Sequence, residues 1–150
     1  MELKEIIKTI ALFDSLTDTQ IDSMKAYTET ISLKQGEKLF QVGQEAKNIY
    51  LLLEGKVSIQ VQLSSRPENM SIVVLQKRGQ LVGWSGLIEG SHYTATGNCL
   101  EDCQLLKIDG QQFLATLRQN PETGFTVMYE IAAVISQRLR NLQSVVLKTI

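Results

Sequence analysis

The 150-residue chain holds one histidine and two cysteines, and each shortage removes a class of chemistry. Two sulfurs, Cys99 and Cys103, cannot build a disulfide framework; both read as small, buried, apolar side chains. A structural zinc site wants four ligands, and His92 is the lone imidazole, so no metal ligands are assigned. A single histidine also leaves no Ser/His/Asp or Cys/His set to assemble, so no catalytic residues are assigned and the chain reads as a non-enzyme. Charge of one sign is missing too: 15 basic against 16 acidic residues leave a net −1. That balance gives no bulk reason to bind nucleic acid directly or an anionic membrane. No apolar run approaches the roughly 20 residues of a membrane-spanning helix. The N-terminal stretch MELKEIIKTIALFD mixes acids among its apolar residues, unlike a signal peptide. A cytoplasmic protein is expected.

What is present is sufficient for one folded domain over residues 1–150, because 43% hydrophobic residues in a chain of this length bury a real core. Leu3, Ile6, Ile7, Ile10 and Ala11 fall at helical spacing, and Leu12, Phe13 and Leu16 anchor a turn. Thr17-Asp18-Thr19-Gln20 has the spacing of a capping box and opens a second helix with Ile21, Met24 and Tyr27 on one side. These helices occupy residues 1–28.

Over residues 29–108 the period changes to alternation. Ile31 and Leu33, then Leu39 and Phe40, then the apolar run Ile49 to Leu53 read as strands broken by glycine turns. In the next strand Val57, Ile59, Val61 and Leu63 face one way and Lys56, Ser58, Gln60 and Gln62 the other. A polar loop around Pro67 leads to a strand over Ser71 to Gln76. Tyr93 to Asn98 and Gln104 to Ile108 read as two more. Many short strands with frequent turns predict a sandwich or barrel, a mainly β fold with flanking helices. Helices return over residues 109–150: Asp109 is an N-cap for a helix containing Phe113, Leu114 and Leu117, and a long helix follows Asn120-Pro121.

In that last helix Met128, Ala132, Ile135, Leu139, Leu142, Val146 and Thr149 alternate steps of four and three, an a/d heptad series. Ile131, Val134 and Val145 widen the stripe. Gln137, Arg138, Arg140, Asn141, Gln143 and Ser144 fill the rest. A stripe of this width serves a helix lying on its own barrel or one paired in parallel with a second copy. The portion from Leu139 to Ile150 is expected to project beyond a small barrel, which favours the homodimer.

Between the late strands lies LVGWSGLIEGSHYTATG, rich in glycine and hydroxyls yet without Lys or Arg. Gly36-Glu37, then Gly43 and Ala46, then Tyr50, Gly55 and Val57 stand in an order that resembles the cyclic nucleotide-binding domain of the Crp/Fnr type. Gly79 through Ala95 resembles that family's phosphate-binding cassette, in a variant form reading Gly-Trp-Ser. The resemblance implies a jelly-roll β-roll, or double-stranded β-helix, of two facing sheets, with helices at both ends, a ligand pocket inside, and a long C-terminal helix for dimerisation. It also implies that cassette N–H groups meet the cyclic phosphate at a helix start. A glutamate there takes the ribose hydroxyl and an arginine pairs with the phosphate.

This chain departs at both charged places, with Trp84 where the acid stands and Tyr93 where the arginine stands. The resemblance places the ligand-binding residues at Gly83, Trp84, Ser85, Gly86, Leu87, Tyr93, Thr94 and Ala95. An arginine fork offers a phosphate aligned donors and permanent charge, a tyrosine one neutral donor. Cyclic nucleotide binding should therefore weaken by roughly tenfold or more. Trp84 either stacks on a base or plugs the roll. Three outcomes follow: an ordinary cAMP or cGMP site, a pocket for another small anionic ligand or a nucleotide held differently, or a pocket closed by its own side chains. His92, Lys77 and Arg78 read as solvated loop residues and Tyr50 as core. The function expected is a stand-alone regulatory sensor, with Leu87 and Ile88 touching the last helix and a partner protein downstream. The alternative is a Crp/Fnr-like sensor lacking its DNA-binding domain, or a ligand-free dimerising module.

Overall fold

The computed structural model describes residues 1–62 and 69–149, with side chains described through Leu147. The expectations for Leu63, for the loop around Pro67 and for the side chains of Thr149 and Ile150 lie outside the described residues. Helix α1 (Leu3–Lys8) stops short of its apolar spacing, and Ala11–Phe13 form a 3-10 turn. Helix α2 (Asp18–Met24) carries the capping box: Thr17 Oγ1 accepts from Gln20 N at 3.1 Å, and Gln20 Oε1 accepts from Thr17 N at 3.0 Å. Buried Gln20 also ties this cap to the C-terminal helices, donating to Thr116 O and accepting from the Thr123 hydroxyl.

The strands are β1 (Thr28–Leu33), β2 (Lys38–Phe40), β3 (Asn48–Glu54), β4 (Val57–Gln62), β5 (Asn69–Leu75), β6 (Leu81–Val82), β7 (Thr96–Cys99) and β8 (Cys103–Asp109). They form two antiparallel four-stranded sheets, ordered β1-β8-β3-β6 and β2-β7-β4-β5. The mainly β jelly roll with flanking helices is thus observed. The unbroken apolar run in β3 follows from burial on both faces. Ile49 and Leu51 join the cluster under the helices, with Ile7, Leu106, Phe113 and Ile131; Tyr50 and Leu52 join the cluster inside the roll, with Phe40, Val57 and Leu105.

Two strand expectations need correction. Ser58 was expected on the polar face of β4 and is buried, because its hydroxyl meets that of Ser71 at 2.9 Å and a bulge follows at Ile59/Gln60. The strand expected from Tyr93 begins only at Thr96, because Tyr93 is tied to the Gly43 turn: Gly43 N donates to Tyr93 O at 2.8 Å and Tyr93 N to Gln44 O at 2.9 Å. Cys99 and Cys103 are buried free thiols. Burial, with Cys103 beside it, pushes the Cys99 thiol up to about 12, far from reactivity.

Helix α3 (Gly110–Gln119) is capped by Asp109, whose carboxylate accepts from Gln112 N at 2.9 Å. Helix α4 (Pro121–Thr149) has two apolar stripes. Val127 and Ile131 are buried, with half-buried Val134 and Ile135 packed on the same core. Leu139 remains 55% exposed, and Phe125, Met128 and Tyr129 are also open. The helix touches β5, and Leu142, Val145 and Val146 are half-buried. Its later turns therefore reach the roll's outer strand, where the sequence suggested projection clear of the barrel. No helix among the described residues is long and apolar enough to cross a membrane.

Two backbones meet without side chains where α3 begins. A Cβ on Gly110 would stand 1.9 Å from Gly86 O. Gly110→Ala must push the two segments apart. It is expected to destabilise the chain by about 2 kcal/mol or more, read from the urea midpoint.

Candidate ligand pocket

The glycine-rich loop leaves β6 through Gly83, whose φ of 77° lies in the left-handed region. A side chain there would also lie 3.1–3.3 Å from the rings of Phe40, Tyr93 and Tyr50. The chain then makes one 3-10 turn over Trp84–Leu87. Gly86 is pressed against β3, where a Cβ would meet Asn48 O at 2.3 Å. Gln111 Nε2 donates to Leu87 O, fastening the far side of the turn to α3.

Above the loop is a small pocket lined by Gly83, Trp84, Ser85, Tyr93, Thr94 and Ala95, together with Phe40, Ile59 and Arg138. The free space among them is about 30 Å³, room for roughly one water. Six of the eight residues assigned from sequence are brought together here. Gly86 and Leu87 are not: Gly86 is buried as a backbone contact with β3, and Leu87 belongs to the core beneath the helices. That core also holds Val127 and Ile131 of α4, whereas Ile88 is exposed.

Tyr93 occupies the roll instead of waiting at its mouth. Its ring stacks on Phe40 with centroids 4.2 Å apart, and Phe40 stacks on Tyr50 at 6.0 Å. Its hydroxyl donates to Asn48 O at 2.6 Å. Burial raises the Tyr93 pKa well above its ordinary value, with Tyr50 adding to the effect. The hydroxyl expected to face a ligand is therefore committed to the backbone of β3.

Trp84 does not plug the roll. It is half-buried against the helical core, and the Arg138 guanidinium lies over its ring, 5.5 Å from the centroid. Arg138 also donates to Leu81 O at 2.7 Å, and burial alone lowers its pKa to about 10. Sequence reasoning placed Arg138 among the polar residues of the last helix and missed it as a pocket residue. The signal was there: 127, 131, 134 and 138 step by four, three and four, the stripe facing the roll. Elsewhere, Lys77, Arg78 and His92 are exposed, and Arg78 donates to Thr9 Oγ1 and Leu53 O.

The chain matches the family model described as cyclic nucleotide-binding domain over residues 30–120. It is 26% identical over 135 residues to the cyclic AMP receptor protein of Thermus thermophilus, covering 89% of this chain and 59% of that protein's length. A crystal structure of a putative cyclic nucleotide-binding protein from Geobacter metallireducens superposes with TM-score 0.74 at 28% identity, covering 93% of this chain and 99% of that one. The sensor domain of the transcriptional regulator DNR from Pseudomonas aeruginosa shares the fold, with TM-score 0.76 at 19% identity over 93% of this chain and 95% of its own. The chain therefore belongs to the cyclic nucleotide-binding domain family, as a regulatory domain similar to the Crp/Fnr sensor domains.

Proposed function

We propose that this chain is a cytoplasmic sensing module that pairs with a second copy through α4 and binds, without catalysis, a small anionic ligand. On this reading a cyclic nucleotide is held weakly or in an altered way. The observation that carries it is Tyr93: the residue standing where the family places its phosphate-binding arginine is buried, neutral and hydrogen-bonded to Asn48 O. Ser85 and Thr94 leave hydroxyls at the pocket, and Trp84 keeps an aromatic face at its edge. The free space of about 30 Å³ favours a second reading, a pocket closed by its own side chains in a ligand-free dimerising module.

Pairing is supported by the outer stripe of α4. Met128, Ala132 and Leu139 are exposed, with Ile135, Leu142 and Val146 half-buried between them. Phe125 and Tyr129 extend the exposed surface toward the start of the helix. Apolar residues at heptad spacing that keep exposed or half-exposed surface in the single chain are the pattern that a parallel helix pair buries.

Calorimetry with cAMP and cGMP should give dissociation constants weaker than about 10 μM, since neutral donors replace a charge-assisted pair. Nanomolar cAMP binding would falsify this reading, and heat-silent titrations with both nucleotides and with small anions would select the closed pocket. Tyr93→Phe removes the donor to Asn48 O. It should lower stability by about 1–3 kcal/mol while leaving any cAMP affinity within about twofold, because the hydroxyl is already committed to Asn48 O. In sedimentation at micromolar concentration the chain should run as a dimer and Leu139→Lys as a folded monomer. A wild-type monomer removes the pairing.

A further inference from the structure

Arg138 is a half-buried cation without an anion. Its fork of N–H donors makes one hydrogen bond to protein, to Leu81 O at 2.7 Å, and its flat face lies on Trp84. Among the described residues no carboxylate lies within ion-pair distance of it. Desolvation is the sole cause lowering its pKa, so no neighbouring charge compensates the guanidinium. An uncompensated charge of this kind costs stability wherever it is held away from water. Here it borders the pocket with the hydroxyl-bearing Ser85 and Thr94.

We propose that Arg138 is the oxyanion-binding residue of this pocket: carried by α4, it supplies the cationic fork that Tyr93 cannot. The ligand chemistry is a phosphate or carboxylate group, taken bidentately by the guanidinium and finished by the hydroxyls of Ser85 and Thr94. The inference rests on the ligand-sensing reading above and gives that ligand its charge. The present free space admits about one water, so an oxyanion enters only as Trp84 shifts and the guanidinium turns from Leu81 O. Binding thus disturbs the contact between Arg138 and the chain's only tryptophan.

That tryptophan is the probe. Inorganic phosphate, acetate and cAMP are titrated at constant ionic strength against chloride while Trp84 emission is recorded. Phosphate or acetate should give a saturable change, and whichever gives the tighter midpoint names the group recognised. A response to cAMP together with phosphate identifies the nucleotide's phosphate as one source of it. Arg138→Gln should abolish the response while melting at the wild-type temperature or above, because it removes an unpaired, half-buried charge. Arg138→Lys keeps charge without the fork and should move the midpoint tenfold or more upward. An unresponsive Trp84 in the wild type up to about 50 mM of each anion, a range beyond any affinity worth the name of a site, overturns the proposal. So does a midpoint unchanged in either variant. Should calorimetry detect cAMP while Trp84 emission and both variants stay indifferent, the sensing reading survives and the role of Arg138 falls. Dimer sedimentation, measured without ligand, is independent of both results.

Discussion

The position of the glycine-rich loop is set by a backbone junction that leaves no room for side chains. Gly86 lies on Asn48 of β3, and Gly110, at the start of α3, lies on Gly86; a Cβ at either place would collide with a carbonyl. Gly110 N donates to Lys47 O at 2.9 Å, and Asn48 O accepts the Tyr93 hydroxyl at 2.6 Å. Sheet, loop, helix and the inner aromatic ring therefore converge on Asn48, the first residue of β3, and on Lys47 just before it. None of these contacts involves a formal charge. The cradle's shape is thus fastened independently of whatever charge the pocket presents, and its ionic residues can change without the loop collapsing.

What replaced the charges has its own energetics. A stacked aromatic pair contributes about 0.5–1.5 kcal/mol beyond its buried area, and the hydrogen bond to Asn48 O adds about 1 kcal/mol. Phe40, Tyr50 and Tyr93 make two such stacks inside the roll. An arginine at position 93 would forfeit this packing and would set an unpaired cation among aromatic rings. The tyrosine stabilises the empty domain where the arginine would serve only the ligand-bound one. Stability and phosphate binding are alternatives at this position, and the sequence chose the first.

Local features were legible in the sequence because their causes are local. The Thr17–Gln20 box and the Asp109 cap depend on spacing within one turn, and both form as read. The turn from β6 needs a left-handed residue, and glycine stands there. Residues whose place depends on distant partners were not legible. Ser58 is polar in pattern but buried because Ser71, on the neighbouring strand, satisfies it. Tyr93 turns inward because Phe40 and Asn48, far away in sequence, receive its ring and its hydroxyl. Arg138 was hidden by its helix: a heptad reading marks the apolar seam, and a charged residue on the other stripe looks solvated until the roll is placed against it. The apolar periodicity of α4 was visible, but not that two stripes share it.

Those two stripes bear on how a pocket can report to a helix. A ligand shifts an equilibrium between states only by as much as its affinity differs between them. Among the residues lining the pocket, Arg138 is the one that α4 supplies; Gly83 through Ala95 belong to the roll and its loops. A ligand touching only the roll would bind equally well whatever α4 does. Leu87 shares a core with the inner stripe, but it is a core residue outside the pocket and senses the ligand only if the 3-10 turn moves. That turn is held by the glycine junction described above. The tighter that junction, the less Leu87 can carry and the more the coupling must pass through Arg138, whose side chain can move while the backbone of the loop stays fixed.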